Sequence, residues 1–247
     1  MKITVVHDFR CFKEGDTFEL DLKPKQVTFM VGRNGCGKST LMFAMRTKLD
    51  SLAKLNQKNS DGMRDCALMP HKLDTTGNMK IEGFDFDKAV FRDTIVDNPT
   101  SFMNSATAFG LISCGGFDNQ TKSAGQSAIN QQVRFITDVI NTLGERSDER
   151  ILIGIDELDD CLDLATQMRQ AFILSKMFFE RYPNASILFI THSLFTALGG
   201  DHVDQDCFTT ACYDVRRRKY TTPEQYFADE TGFEITIKPL PENKEDH

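Results

Sequence analysis

The sequence predicts an α/β fold in which a mostly parallel central sheet is flanked by helices. Three features predict it. Strand-like and helix-like segments alternate through the second half of the chain, two of the strand-like segments are apolar throughout, and a glycine-rich turn joins an apolar strand to a helix. Strands that are apolar on both sides are typical of a parallel sheet covered by helices on both faces. Because such sheets bind ligands at the carboxyl ends of their strands, we expect the functional residues there.

The glycine-rich turn lies within Val27–Met42, between an apolar strand and a helix that begins near Lys38. Residues Gly32–Ser39 read G-x-x-x-x-G-K-S, a spacing typical of loops that bind nucleotide phosphates. Glycines let successive backbone N–H groups curl around an anion, and the helix N-terminus adds donors and partial positive charge. Lys38 is then expected on the β- and γ-phosphates, and Ser39 on Mg²⁺. The residues predicted to bind nucleotide here are Asn34, Gly35, Cys36, Gly37, Lys38, Ser39 and Thr40.

The composition is that of an ordinary globular chain. Its 247 residues suffice for one large α/β domain, and 40% are hydrophobic. The formal net charge of −7 does not favour binding to DNA. A basic run at Arg216–Lys219 is most simply a solvated turn, with a phosphate-backbone contact as the alternative.

No apolar run approaches the roughly 18 residues of a membrane span, and the start of the chain does not resemble a signal peptide. We therefore expect a cytoplasmic protein with no membrane segment.

The seven cysteines are odd in number, scattered, and contain no C-x-x-C pair. This usage predicts a reducing compartment and no zinc site. Cys36, inside the glycine-rich turn, is either a small loop residue or a redox-sensitive position, and the first interpretation is favoured.

The N-terminal region is predicted to form an antiparallel β subdomain. Met1–Leu22 contains two β-rich stretches joined by a turn at Lys13–Asp16. Met79–Asp93 has the pattern of a second hairpin, with its turn at Asp85–Asp87. The helix after the glycine-rich turn is expected to cover Ser39–Leu55, with its apolar residues on one side.

The second half of the chain is predicted to supply most of the central sheet. The buried strands Ile151–Ile155 and Ile187–Thr191 are separated by a helix over Leu164–Tyr182. A strongly periodic helix over Ser127–Leu143 precedes them and is ended by Gly144. Its predicted apolar face consists of Ile129, Val133, Ile136, Val139, Ile140 and Leu143. The remaining predicted segments are strands at Asp206–Tyr213 and Phe233–Lys238 and a charged tail at residues 239–247.

Charged side chains are predicted at the exits of the two buried strands. Asp156 follows Ile155, and a carboxylate beside bound phosphates is the hard oxygen ligand that Mg²⁺ prefers. Glu157 comes next, well placed to polarise an attacking water as a catalytic base. His192 follows Thr191, where it could bond the γ-phosphate and sense its loss. Together with the glycine-rich turn, three strand exits are expected to converge on one site.

A second anion-binding end is predicted at the start of the Ser127–Leu143 helix. Ser123 and Gly125 lie just before it, and both residue types are favoured where a helix N-terminus binds an anion. The chain thus carries two phosphate-binding ends but a single nucleotide loop. Two copies packed head to tail would use both ends, which predicts a homodimer that forms on ATP binding.

These motifs resemble those of ATP-binding-cassette (ABC) ATPase domains. GRNGCGKST is similar to the phosphate loop of that superfamily, KSAGQ to its L-S-G-G-Q signature, ILIGIDE to its strand ending in Asp-Glu, and ITHS to its switch-histidine segment. The resemblance extends from Met1 to about Ser193. It implies one domain over residues 1–247, with a helical signature lobe inserted at about residues 95–145. It also implies ATP and Mg²⁺ as ligands, with further site residues Ser123, Gly125 and Gln126 acting in trans and Asp163 in the D-loop.

The start of the chain resembles one branch of this superfamily. HDFRCF is similar to the F-R-x-F beginning of the SMC/RecF/OLD branch, which manages DNA ends and phage defence, and this similarity implies that Arg10 lies near the nucleotide. The segment between Thr40 and Ser123 is too short for a long coiled-coil arm and has no heptads. Leu158 stands where the superfamily usually has proline. No nuclease motif follows His192, so an effector such as a nuclease or toxin would be a separate chain.

Four functions are compatible with these motifs. The favoured one is an ATPase switch for DNA maintenance, repair or phage defence, in which ATP joins two copies and hydrolysis releases them. The alternative is the energising subunit of a membrane transporter, which needs a coupling glutamine that the sequence does not identify. A small-molecule kinase would need neither Ser123–Gln126 nor His192, and a nucleotide-binding scaffold would not need Glu157.

Overall fold

The computed structural model of the protein describes residues 1–46, 77–92, 133, 135–137, 139–156, 163–202 and 207–235. These residues form two sheets and the helices around them. In chain order the elements are β1 (Lys2–Val5), β2 (Thr17–Glu19), β3 (Gln26–Val31), α1 (38–46), β4 (Met79–Glu82), β5 (Lys88–Arg92), α2 (helical residues at 133, 135–137 and 139–143), β6 (Ile151–Asp156), α3 (Leu164–Arg181), β7 (Ser186–Ile190), α4 (Leu194–His202), β8 (Thr209–Asp214), β9 (Lys219–Thr221) and α5 (Pro223–Thr231).

The larger sheet has the strand order β5-β6-β7-β3-β8-β9. Its neighbouring strands are parallel except for β8 and β9, which are antiparallel. Strands β3, β6 and β7 are buried at every position, as their largely apolar sequences require. The prediction of a phosphate-loop α/β fold with a mostly parallel central sheet is confirmed.

The smaller sheet has the strand order β2-β1-β4, and both pairs are antiparallel. Ile3 of β1 lies opposite Phe18 of β2, and both side chains are buried. The turn between these strands contains Gly15 at φ 86°, and the N–H of Asp16 donates to the carbonyl of Lys13 at 3.0 Å. The predicted N-terminal antiparallel subdomain is therefore confirmed.

Two apolar clusters cover the two faces of the larger sheet. Alternate residues of β6 divide between them, because successive side chains of a strand point to opposite faces. Ile151, Ile153 and Ile155 join the cluster formed with α2 and α3, whereas Leu152 joins the cluster formed with α1 and the smaller sheet. The smaller sheet is thus held against the same face of the central sheet as α1.

The predicted hairpin over Met79–Asp93 is wrong. Its two strands form, but β4 pairs with β1 in the smaller sheet and β5 pairs in parallel with β6 in the larger one. Phe91 of β5 lies opposite Gly154 of β6, where an added Cβ would be 2.3 Å from the Phe91 ring. The absent side chain at Gly154 makes room for Phe91, so tertiary packing decides a pairing that local sequence does not reveal.

The predicted helices form with small differences. In α1, Leu41, Met42 and Met45 are buried as the predicted apolar side requires, and the later part of the expected Ser39–Leu55 helix lies outside the described residues. α3 covers Leu164–Arg181, one residue shorter than predicted.

The helix α2 departs from its predicted apolar face. Val139 and Leu143 are buried as expected, and Gly144 at φ 87° follows the helix. Val133 is exposed, however, and Phe135 is buried in its place against Phe178 of α3. The side that α3 covers therefore includes a phenylalanine outside the aliphatic pattern.

The C-terminal region differs most from the prediction. The strand predicted at Asp206–Tyr213 is present as β8, but the described part of Phe233–Lys238, residues 233–235, is not a strand. β9 and α5 form where no element was predicted. Thr222 caps α5 through the N–H of Gln225, Pro223 follows, and Gly232 at φ 76° ends the helix. These are recognised start and stop signals, so α5 could have been predicted from the sequence.

Candidate nucleotide site

The phosphate loop, Gly32–Ser39, leaves the end of β3 and runs into α1. Gly35 and Gly37 have φ values of 78° and 97°, which residues with a Cβ rarely adopt. Within the loop the N–H of Cys36 donates to the carbonyl of Arg33 at 3.2 Å. The result is a tight turn that delivers backbone N–H groups and a helix N-terminus to one place, which suits an anion.

Cys36 lies half-buried in this loop. Burial raises the pKa of its thiol, with the nearby Lys38 charge acting in the opposite direction. A protonated thiol is a weak nucleophile, so the environment agrees with a small loop residue rather than a reactive one.

The N-terminal F-R-x-F segment packs against the phosphate loop and the first turn of α1. Phe9 and Phe12 exchange two backbone hydrogen bonds at 3.1 and 3.0 Å, which closes a tight turn with Arg10 at φ 55°. The Phe12 ring lies so close to Gly37 that an added Cβ there would be 2.0 Å from the ring. Nη1 of Arg10 donates to Oγ1 of Thr40 at 3.3 Å. Arg10 therefore lies beside the first turn of α1, next to the predicted nucleotide-binding residues.

Lys38 and His192 meet at the centre of the candidate site. Lys38 is buried, with 3% of its surface exposed. Its Nζ donates to the carbonyl of Gly32 at 2.6 Å and lies 3.1 Å from Nδ1 of His192. A lysine ammonium can only donate, so His192 Nδ1 accepts and its proton is on Nε2. The exits of β3 and β7 are thus joined through a side-chain contact.

Asp156 lies level with these groups at the edge of the sheet. Strand β7 separates β6 from β3, and the register aligns Asp156 with Ile190 and Ile190 with Met30. With neighbouring strands about 5 Å apart, the ends of β6 and β3 are about 10 Å apart. Asp156 is 2% exposed at the end of β6. One carboxylate, one imidazole and one ammonium therefore share the carboxyl edge of the sheet.

Hydrogen bonds around His192 tie its turn to α3. Oγ of Ser193 donates to Oε1 of Gln167 at 2.6 Å, and Oγ1 of Thr191 accepts from the N–H of Ser193 at 2.8 Å. Gln167 lies one turn after Asp163, whose carboxylate caps α3 by accepting from the N–H of Thr166 at 3.0 Å. A hydrogen bond from the Thr166 hydroxyl, together with that N–H, lowers the pKa of Asp163. The predicted D-loop residue thus begins the helix that supports the His192 turn.

The phosphate loop also touches α5, which sequence reasoning did not foresee. Nε of Arg33 donates to Oε2 of Glu230 across 197 positions of the chain. Glu230 belongs to a group of charges that we call the arginine–carboxylate network. Its members are Asp214, Arg216, Arg217, Asp229 and Glu230.

Three residues of the basic run, Arg216, Arg217 and Arg218, lie in the turn between β8 and β9 and pair with acids of this protein, and Lys219 begins β9. Arg217 donates to Asp214 at 2.6 Å and to Glu230 at 3.0 Å, and Arg218 lies 2.7 Å from Asp16. These contacts support the interpretation of the run as a structural turn.

The residues present fit a nucleoside triphosphate with Mg²⁺. A Cβ at Gly32 would be 2.5 Å from the Cys36 sulfur, so the loop keeps the narrow cradle that close backbone approach to phosphate needs. Asp156 and Ser39 offer hard oxygen donors. Among the described residues no three His, Cys, Asp or Glu side chains cluster as a metal site. Mg²⁺ is commonly bound by one or two protein oxygens together with substrate phosphates.

Several predicted site residues lie outside the described residues. They are the predicted base Glu157 and the signature residues Ser123, Gly125 and Gln126. Most of the predicted helical lobe at residues 95–145 and the tail at residues 239–247 are outside as well. Within the part of the chain that the structure describes, no helix is long and apolar enough to cross a membrane.

The protein has distant structural similarity to several solved structures, two of them from ABC transporters. An inward-facing ABC transporter of the metal-chelate type is 16% identical, with coverage of 94% of this chain and 88% of that one and a TM-score of 0.42. CbiO1 from Clostridium perfringens, part of the CbiONQ transporter complex, is 16% identical, with coverage of 88% and 84% and a TM-score of 0.41. Stu0660 of Streptococcus thermophilus is 13% identical, with coverage of 90% and 76% and a TM-score of 0.37. At this level the similarities do not bear on activity or partners.

Sequence comparison gives a firmer family assignment. No curated protein matches the chain significantly. A family model described as an AAA domain matches residues 5–173, which contain the F-R-x-F turn, the phosphate loop and Asp156. Because this match covers more than half of the chain, the protein belongs to that AAA-domain family of P-loop ATPase domains.

Proposed function

We propose that this protein is an ABC-type ATPase that binds ATP with Mg²⁺, hydrolyses the γ-phosphate and works as an ATP-dependent head-to-tail dimer. The observation that carries the proposal is the contact between Lys38 and His192. Lys38 Nζ lies inside the phosphate loop and 3.1 Å from His192 Nδ1 at the neighbouring strand exit. A phosphate-binding lysine beside a polar side chain from a second strand is the arrangement that a γ-phosphate sensor needs.

The chain's own residues supply the required chemistry. The ammonium of Lys38 would stabilise charge on the β- and γ-phosphate oxygens as the transferred phosphoryl group separates. His192, with its proton on Nε2, would donate to a γ-phosphate oxygen. Glu157, which follows Asp156 in the chain, would accept the proton of the attacking water. Mg²⁺ held by Asp156 and Ser39 would neutralise phosphate charge and orient the triphosphate.

The dimer is the second part of the proposal. It is supported by the Ser123–Gln126 segment, which resembles the ABC signature and is predicted from the sequence to provide a second phosphate-binding helix N-terminus. Asp163 supports it too, because it caps the start of α3 at an exposed position that a second copy would reach. ATP would then lie between the phosphate loop of one copy and the signature of the other.

The SMC/RecF/OLD branch is the proposed context, with a role in DNA maintenance, repair or phage defence. The contact from Arg10 to Thr40 supports this branch, since its F-R-x-F turn is expected beside the nucleotide. The formal charge of −7 and the internal ion pairs of Arg217 and Arg218 favour a partner protein over unassisted DNA binding.

Phosphate release at increasing protein concentration tests the proposal. We expect Mg²⁺-dependent ATP hydrolysis without any added acceptor, with a rate per chain that rises with protein concentration because the active form is a dimer. Lys38→Ala serves as the control for a contaminating ATPase and should remove the activity. A constant rate per chain would contradict the dimer, and no phosphate release at any concentration would contradict ATPase activity itself.

A further inference from the structure

The backbone of Arg33 helps to define the shape of the phosphate loop. Arg33 follows Gly32 at the exit of β3, and its carbonyl accepts the N–H of Cys36 at 3.2 Å and faces Nζ of Lys38 at 3.4 Å. A displacement of Arg33 would therefore move two groups that the nucleotide needs. The position of the Arg33 backbone would therefore affect nucleotide binding, even though the Arg33 side chain contacts α5 and not the loop.

The side chain of Arg33 is held by α5. Its Nε donates to Oε2 of Glu230, and the Arg33 side chain is 64% exposed whereas that of Glu230 is 11% exposed. An exposed ion pair usually contributes little, because water competes and a long side chain must be ordered. Here the acceptor Glu230 is mostly buried, and its other ion pairs already fix its position. The contact with Arg33 therefore costs less side-chain entropy than an ordinary surface ion pair.

Glu230 is anchored to the strand next to the phosphate loop. Its Oε1 accepts from Arg217 at 3.0 Å, and Arg217 also donates to Asp214 at 2.6 Å. Asp214 is buried at the end of β8 and accepts the N–H groups of Arg216 and Arg217. β8 pairs in parallel with β3, with Asp214 opposite Val31, the residue before the loop. Both ends of the connection from Arg33 to Glu230 therefore rest on neighbouring strands of one sheet.

We propose that Glu230 is a positioning residue for nucleotide binding, which acts through Arg33 to hold the phosphate loop in its binding shape. The proposal rests on the nucleotide-binding function proposed above. Helix α5 lies beyond the family match at residues 5–173. In this proposal it affects the affinity of the phosphate loop for nucleotide. Loss of Glu230 should weaken binding, with little effect on the rate of hydrolysis once nucleotide is bound.

The test measures the Kd of the full chain for a fluorescent ATP analogue with Mg²⁺, together with kcat at saturating ATP. Glu230→Gln and Arg33→Met should each raise Kd on the order of fivefold, and the double variant should be no worse than either single one, because both remove the same contact. Values of kcat should stay within about twofold. Arg33→Met keeps the test decisive if Glu230→Gln folds poorly, since Arg33 is largely exposed.

Asp229→Asn is the matched control. Asp229 is the neighbouring acid on α5, and its contacts are with Arg217 and Gln225 rather than with Arg33. Asp229→Asn removes one negative charge from α5, as Glu230→Gln does, and should leave the Kd for the ATP analogue within about twofold of that of the unaltered protein. The proposal is overturned if Glu230→Gln changes Kd no more than Asp229→Asn, if the two single effects add in the double variant, or if Glu230→Gln tightens binding by freeing Arg33. Failure of the unaltered protein to bind the analogue would instead contradict the proposed function.

Discussion

The phosphate loop and the arginine–carboxylate network lie side by side but are built in different ways. The loop is a short continuous stretch, and its shape comes from glycine backbone angles and from the start of α1. The network brings together side chains from the β8–β9 turn and α5, and it reaches the loop through one contact between residues 197 positions apart. The loop can bind an anion through its own backbone N–H groups. The network does not contact the anion and can only stabilise the loop in its binding conformation.

This difference predicts separable effects. Changes within the loop should remove binding or chemistry, whereas changes in the network should alter affinity or stability by smaller amounts. The variants below are ordered by the expected size of the effect.

Lys38→Ala should have the largest effect. It removes the ammonium that contacts both the loop and His192, and we expect a loss of at least about a hundredfold in ATP turnover. Phosphate release measures the loss, and thermal unfolding checks that the protein remains folded. Turnover within about tenfold of the unaltered protein would show that the loop does not act on phosphate.

Gly37→Ala should destabilise the loop more than Gly35→Ala. Both glycines have positive φ, but a Cβ at Gly37 would be 2.0 Å from Phe12, whereas no atom of the described residues would lie within 4 Å of a Cβ at Gly35. We expect about 3 kcal/mol or more of lost unfolding free energy at Gly37 and about 1 kcal/mol at Gly35. Urea unfolding measures both values. Equal losses would mean that the contact between Phe12 and Gly37 does not constrain the loop.

Asp214→Asn should reduce stability with a smaller effect on nucleotide binding. The carboxylate is buried and accepts two backbone N–H groups as well as Arg217, so removing its charge weakens a desolvated ion pair. We expect about 1–3 kcal/mol less unfolding free energy. Asp229→Asn, whose side chain is more exposed, is the control and should cost less than about 1 kcal/mol. The reverse order would contradict the role of Asp214 as the anchor of the network.

Arg10→Met should have the smallest effect on the fold. Arg10 is exposed, and its side chain makes a 3.3 Å hydrogen bond to Thr40 and lies over the ring of Phe9, so unfolding free energy should change by less than about 0.5 kcal/mol. We expect the Kd for ATP to rise about threefold, because a cation is lost beside the phosphate loop. Titration with a fluorescent ATP analogue measures this change. An unchanged Kd would separate the F-R-x-F turn from nucleotide binding.

The same contrast explains what the sequence could reveal. The phosphate loop, the buried strands and the strand-end residues Asp156 and His192 follow from motifs and apolar patterns within short windows. The pairing of β5 with β6 depends on Phe91 fitting over Gly154, and the link from Arg33 to Glu230 depends on the fold that joins them. Neither contact leaves a local pattern. Helix α5 did leave one, in Thr222, Pro223 and Gly232, and those capping signals predict it once they are considered.

The central claim is that ATP joins two copies of this chain, and light scattering of a hydrolysis-deficient variant tests it most directly. Glu157→Gln should bind ATP but hydrolyse it very slowly, because the proposed base is gone while the phosphate loop and Asp156 are intact. With ATP and Mg²⁺ we expect a mass of twice the 28.0 kDa of one chain, and the single-chain mass with ADP. Lys38→Ala in the same background should stay at the single-chain mass. A single-chain mass for Glu157→Gln with saturating ATP would contradict the account.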